Sequence, residues 1–435
     1  MTHASAPLES QSSPPRPVVE KPASEEFRRL APRRIGTLIV VVQLVLLLAH
    51  GFLYATWIAF HPALAPSTRA VLQIALLVAA LSFVAATTLA WRYFNWLVRI
   101  FYVVSAVSVG LVTLCLFAAA SSWIVLGIVR LAGLPIAPNQ IADALFTAAV
   151  LIGLYGVANA ARLRVNRIAI ELPNLPDPWR GRTAALVSDM HLGHVRNVRF
   201  VRRIVARLNQ LRPDVVFIAG DMYDGTKVNA GALAEPWSAL SVPLGALFVT
   251  GNHEEFTSRA KYLDALSDAG IRVLNNEKIE IEGLQIVGAH YRETAEPRRF
   301  HALLHTTRIA PGKPSVLLVH APHRLPIAEE AGISLQLCGH THGGQFPPAS
   351  WITSRVYGPY VHGLNRFGRM LVLTSWGVGT WGPPLRLGTA PKSCCSPSRR
   401  REQQIVWADA SVVGTPTPEC PGTFPHKWVR RYVLR

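Results

Sequence analysis

Five short apolar runs in the second half of the chain each end in side chains that can hold a metal. Ala185, Leu186 and Val187 lead directly to Asp189 and His191, with His194 close behind. The run 215–219 ends in Gly220-Asp221, and Asp224 follows. The run 246–250 ends in Gly251-Asn252-His253-Glu254, the run 316–319 in His320, and the run 335–338 in Gly339-His340-Thr341-His342-Gly343-Gly344. Taken singly, none of these is strong. A lone histidine at a strand end is usually a solvated surface residue, and Asp-x-His is as often structural as functional. His-x-His is better, because alternate side chains of an extended segment share a face. Five such tips in one domain are expected to converge. Ligands in α/β sheets gather beyond the carboxyl ends of strands, and adjacent strands lie about 5 Å apart.

The donor types indicate the metal class. Carboxylates, one amide oxygen and imidazoles suit Mn, Fe or Zn rather than a structural zinc site, which would favour cysteine. One ion cannot use so many donors; two divalent ions sharing a carboxylate about 3.5–4 Å apart could.

The elements needed to position these residues are legible around them. Strands are expected at 183–187, 215–219, 246–250, 284–288, 315–319 and 335–338, and amphipathic helices at 198–211 and 258–269. Strands alternating with helices predict an α/β sandwich over residues 180–391.

The first half is different. The whole chain is 50% hydrophobic and only 16% charged, with a mean hydropathy of +0.25, which is too apolar for an ordinary soluble protein. The excess lies in residues 35–160. Runs 35–60, 70–91, 100–129 and 142–160 each reach the roughly 20 residues that cross a bilayer. The third is long enough to tilt, or to break near Ser121-Ser122. Residues 1–34, rich in Pro, Ser and charge, read as a disordered tail, and 161–179 as a linker. A cleaved signal peptide is not expected, because the first run is too long and three more follow. Arginines precede the first run, lie between the second and third, and follow the fourth; this predicts cytoplasmic termini and a cytoplasm-facing domain on the inner (plasma) membrane. No run carries a central charge, so an ion pathway has little support. The net charge of +18 then suits anionic lipid; no basic stripe with interleaved aromatics points to nucleic acid. The five cysteines show no disulfide or zinc spacing.

Asp-x-His, Gly-Asp, Gly-Asn-His-Glu, His and Gly-His-Thr-His, in this order, resemble the motifs of the calcineurin-like metallophosphoesterases. "SDMHLGH" and "GHTHGGQ" are similar to the membrane-associated bacterial branch typified by YkuE and YaeI. The resemblance covers about residues 180–390. It implies a four-layer α/β/β/α sandwich of two mixed sheets, here preceded by four transmembrane helices. It implies that Asp189, His191 and His342 hold one metal, that Asn252, His320 and His340 hold another, and that Asp221 bridges them. His253 would stand by the leaving group as the catalytic acid, with His194 and Asp224 as supporting or substrate residues. The implied activity is hydrolysis of a phosphodiester or pyrophosphate by in-line attack of a metal-bridging hydroxide, on a substrate associated with or linked to membrane lipid. A general phosphoesterase for soluble substrates and a binding-only membrane sensor are the alternatives. Two departures stand out: Ala321-Pro322-His323 after His320, and Gly288-Ala289-His290-Tyr291 where relatives carry an acidic pair.

The resemblance stops at residue 391. Relatives continue into a strand of the type Glu-Ile-Val-Leu-Leu-Thr-Leu, whereas this chain reads Lys392-Ser393-Cys394-Cys395-Ser396-Pro397-Ser398. Deleting the first base of plausible GC-rich codons for the expected strand yields this heptapeptide. A frameshifted tail over 392–435 is therefore expected, a genuine basic lipid-binding tail being the rival.

Overall fold

The computed structural model describes residues 24–255, 259–388 and 404–409, with backbone alone for 24–35 and 404–409. Four long helices come first: α1 (Ser24–Phe60), α2 (Pro66–Arg92), α3 (Trp96–Leu131) and α4 (Pro138–Ala160). Each contains a segment long and apolar enough to cross a membrane. α1 begins inside the stretch read as a tail. Residues 1–23 lie outside the described residues. α3 runs unbroken past Ser121-Ser122: the Ser122 hydroxyl donates to the Ala118 carbonyl one turn back, at 2.8 Å, and so costs the helix no bond.

The remainder is a mixed α/β domain of two six-stranded sheets. Its strands are β1 (Asn166–Glu171), β2 (Thr183–Val187), β3 (Val215–Ala219), β4 (Ala246–Val249), β5 (Ile271–Val273), β6 (Glu277–Ile281), β7 (Leu284–Gly288), β8 (Ser315–Leu318), β9 (Leu335–Cys338), β10 (Gly363–Phe367), β11 (Met370–Thr374) and β12 (Gln404–Asp409). The first sheet has the order β1-β12-β2-β3-β4-β5 and the second β10-β11-β9-β8-β7-β6. Period-two side-chain alternation divides the core. Ala184 and Leu186 of β2, with Val215 and Phe217 of β3, face the second sheet's Ile286, Val316, Leu318, Leu335 and Leu337. Ala185, Val187, Val216 and Ile218 face away, onto helix α5 (Val198–Leu211) and the elements beyond it: α6 (Ala230–Ala234) and α7 (Arg259–Asp268). Beyond the second sheet lie α8 (Tyr291–Ala295), α9 (Pro297–Thr306) and α10 (Leu325–Glu330); Phe300, Leu304 and Ala328 pack on Val287, Leu317 and Val372. Strands buried on both faces are near-continuous apolar runs, which is why these were legible. A last helix, α11 (Ala349–Tyr357), follows the Gly-His-Thr-His loop.

Two boundaries differ from the sequence reading. Residues 161–179 are not a free linker: β1 lies within them, and Trp179 is buried with its indole N–H donating to the Ile281 carbonyl at 2.8 Å. β12 comes from beyond residue 391 and fills the slot between β1 (antiparallel) and β2 (parallel). An apolar, β-prone hexapeptide there satisfies backbone groups on both sides. The rest of the expected frameshifted tail, 392–403 and 410–435 with Cys394, Cys395 and Cys420, lies outside the described residues.

Candidate metal centre

The carboxyl ends of β2, β3, β4, β8 and β9 meet in one buried cluster. Three overlapping sets bring a donor atom of each member within 4.8 Å of the others: Asp189, His191 and His342; His191, Asp221 and His253; and Asp221, His320 and His340. His191 and Asp221 thus link the groups. Asn252 joins the third, its Oδ1 lying 3.1 Å from His320 Nε2. His320 Nε2 is also 3.2 Å from Asp221 Oδ2 and 3.0 Å from His340 Nδ1.

The backbone is bent to achieve this. Asp189, His191, Asp221, His340 and His342 all have φ between 48° and 73°, the left-handed region. Such conformations cost about 1–3 kcal/mol each and cluster at functional sites. Gly220 turns the β3 tip at φ 77°, where a Cβ would lie 2.5 Å from the Gly251 nitrogen. The β3 and β4 loops touch because neither position carries a side chain.

Hydrogen bonds fix the donors. His320 Nδ1 donates to the Ala219 carbonyl at 2.8 Å, which turns its Nε2 toward Asp221. The His340 amide donates to both Asp189 carboxylate oxygens at 3.0 Å, and the His253 amide to Asp221 Oδ1 at 2.9 Å. His253 Nδ1 donates to the Asp224 carbonyl at 2.8 Å, so Asp224 acts through its backbone. The Asp224 carboxylate instead accepts from the Thr226 amide and hydroxyl.

His194 is placed elsewhere. Its Nε2 lies 3.2 Å from the Tyr93 carbonyl, its ring packs against Phe94 and Tyr102, and its carbonyl accepts from Arg99 Nε at 3.0 Å. It joins the domain to the α2–α3 turn, and its Nδ1 lies 3.2 Å from the Thr226 hydroxyl, which donates to the Asp224 carboxylate. The two departures border the site: the Tyr291 ring stands between His320, His323 and His340, and His290 Nδ1 accepts from the Thr250 amide.

The electrostatics fit cations. Burial pushes Asp221 up, yet His320, His253 and His191 outweigh it and hold Asp221 below the usual carboxylate range. Burial would lower His320; the Asp221 charge and hydrogen bond reverse this and raise it to about 9. Burial pushes Asp189 up to about 7, with His320 opposing and Asp221 adding. Burial, reinforced by neighbouring histidines, keeps His191 and His342 neutral. Their Nε2 atoms face each other at 2.9 Å, and Nδ1 of each is buried without a partner. Two neutral imidazoles nose to nose beside two carboxylates form a donor set that divalent cations complete.

Sequence reasoning assigned no role to two residues that build the site. Glu254 is fully buried, and its carboxylate accepts from the amides of Asp221 (2.9 Å), Gly251 (2.7 Å) and Tyr223 (3.0 Å), tying the β3 and β4 tips together. The only signal was its place after Asn252-His253. Arg386 is 2% exposed; its guanidinium donates to the carbonyls of Gly377 (3.0 Å) and Gly379 (2.6 Å). The Gly379 amide in turn donates to the Asp189 carbonyl at 2.9 Å. No local pattern marks such a long-range contact.

Residues 183–344 match the model of the calcineurin-like phosphoesterase family. An uncharacterized metallophosphoesterase of Aquifex aeolicus is 33% identical over 257 residues, which are 56% of this chain and 94% of that protein. The chain belongs to the calcineurin-like phosphoesterase family. It is also similar to a transmembrane protein with metallophosphoesterase domain from Danio rerio, at 31% identity over 58% of this chain and 61% of that one. Bacillus subtilis YkuE, an uncharacterized metallophosphoesterase, is 27% identical over 50% of this chain and 79% of its own length. Some relatives are matched over little more than half their length: the chain covers 55% of a Helicobacter pylori metallophosphoesterase. Calcineurin-like phosphoesterases use divalent metals, and the Asp/His clusters here can bind them.

Proposed function

We propose that this chain is a two-metal phosphohydrolase, anchored in the inner membrane by α1–α4 and facing the cytoplasm, that cleaves phosphodiester or pyrophosphate bonds near the bilayer. The convergence of three donor groups through shared Asp221 and His191 carries this reading. Asp189, His191 and His342 would hold one ion, Asn252, His320 and His340 the other, and Asp221 both. Bound there, two divalent cations would lower the pKa of water and neutralise phosphoryl charge. The protein residues do the rest. His253 has Nδ1 committed to the Asp224 carbonyl, so proton exchange with a leaving oxygen falls to Nε2. Glu254 and the left-handed turns preset the donors, so little reorganisation is needed on substrate binding. The orientation rests on the arginines that flank the helices on the domain side.

The test is hydrolysis of aryl phosphodiesters, aryl monoesters and a nucleotide-linked lipid pyrophosphate by purified protein loaded with Mn, Fe or Zn. Asp221→Ala should abolish turnover, and His253→Ala should reduce it about 10²–10⁴-fold. Full activity in Asp221→Ala would end the proposal.

A further inference from the structure

One rim of the site is apolar and exposed. On α11, Trp351 and Ile352 are each 61% exposed and Val356 67%; Trp381 nearby in the fold is 61% exposed. Ile352 and Val356 share one helix face, at i and i+4. Trp381 is clasped by Gln345, whose side chain bonds both its amide (2.8 Å) and its carbonyl (2.9 Å). Exposed side chains of this size grouped on one side of a domain mark a surface that is covered by something else.

The membrane-capable helices show what covers it. The Trp351 ring meets Phe117 edge-on at 5.7 Å, and Phe117 lies past the midpoint of α3. Phe346, beside Gln345, packs with Leu385 against Leu114, Ala118 and Ala149. Ala149 stands at the middle of α4, which has 23 residues, or about 35 Å. The domain packs along the second half of α4, from the Gly156 carbonyl, which accepts from the Arg386 amide, up to Ala149, and α11 stands beside that contact with its apolar face outward.

The other end of α11 borders the metal cluster. The Tyr357 ring is 6.0 Å from the His340 ring. His340 and Asn252 are half-buried, whereas Asp189, His191, Asp221, His320 and His342 are buried. The cluster therefore opens on the side that α11 edges. Tryptophan, apolar residues and the exposed Arg355 on one short helix are the composition of an interfacial element.

We infer that α11 and Trp381 lie in the bilayer interface and set the open side of the metal cluster at headgroup level, so that the substrate is the phosphate ester of a membrane lipid. This rests on the membrane-anchored phosphohydrolase reading above and adds where the substrate comes from.

The experiment uses the full chain in nanodiscs of phosphatidylcholine and phosphatidylglycerol. A genetically encoded dansyl side chain is placed singly at 352, at 356, at Val78 on the exposed face of α2, and at Arg298 on α9. Brominated acyl chains should quench 352, 356 and 78, and iodide should quench only 298. Iodide reaching 352 and 356 as readily as 298, with 78 protected, overturns the inference and spares the membrane reading; iodide reaching 78 as well removes both. Turnover supplies the second arm. Ile352→Ser/Val356→Ser should lose at least tenfold in kcat/KM on p-nitrophenyl phosphatidate and leave bis-(p-nitrophenyl) phosphate hydrolysis unchanged. Equal loss on both substrates overturns the lipid assignment; a metal-loaded parent that cleaves neither counts against the phosphohydrolase reading itself.

Discussion

Replacing Glu254 by glutamine keeps the shape of a fully buried side chain and changes one acceptor into a donor. Glu254 Oε2 receives the amides of Asp221 and Gly251, and Oε1 that of Tyr223. Glutamine has one oxygen. Its better orientation keeps the first two bonds and turns its NH₂ toward the Tyr223 N–H, which is then orphaned. A buried unsatisfied donor costs about 1–3 kcal/mol. Relief of the carboxylate's own burial beside Asp221, which raises Glu254 to about 7, offsets part of this. Glu254→Ala orphans all three amides, for about three times the gross cost. The penalty falls on the two loops that carry Asp221, Asn252 and His253, so it should appear as local opening before global unfolding. Expressed as metal affinity, about 1–3 kcal/mol is a roughly 5- to 150-fold weakening for Glu254→Gln, with more for Glu254→Ala. Competition titration with a chromogenic chelator, together with hydrogen exchange at the 221–223 amides, measures both. If both variants bind metal like the parent and keep those amides protected, Glu254 does not hold the loops together and the argument fails.

Arg386→Met leaves the Gly377 and Gly379 carbonyls without their buried donor; because Gly379 holds Asp189, metal affinity should fall about tenfold or more, with Arg386→Lys intermediate. Gly343→Ala places a Cβ against the Trp376 ring at a left-handed turn (φ 57°), and should cost about 1–3 kcal/mol in thermal unfolding. His290 is lowered to about 3, first by burial and then by Arg259, against an ordinary value of 6.5. The unfolded chain therefore binds the extra proton between those values: stability from His290 is present above pH 6.5 and drains away as pH falls toward 3. Melting curves across that window should show a steeper acid loss in the parent than in His290→Asn, which retains an acceptor for the Thr250 amide.

The residues of the cluster were legible because chemistry and glycine sit together at strand ends that are themselves apolar runs. β2, β3, β7 and β9 and helix α5 have the bounds their patterns predict. β1, β6 and β10 were missed because they are edge or near-edge strands, half-exposed and polar, without the continuous apolar run. α11 was missed because its apolar residues face outward and look like no amphipathic core helix. His194, three residues after His191, reaches the turn between α2 and α3 and also, through the Thr226 hydroxyl, the Asp224 loop. Sequence spacing shows which donors share a loop, but not which way each side chain leaves it.

The left-handed backbone at Asp189, His191, Asp221, His340 and His342 also constrains how this chain can decay. Asn, Asp, His and Gly tolerate that conformation, whereas valine, isoleucine and threonine resist it. A lineage that no longer needs these side chains while keeping the fold should therefore drift at these five positions toward asparagine and glycine. The shape of the lost centre would outlive its chemistry, preserved as small residues at the same five positions in three loops.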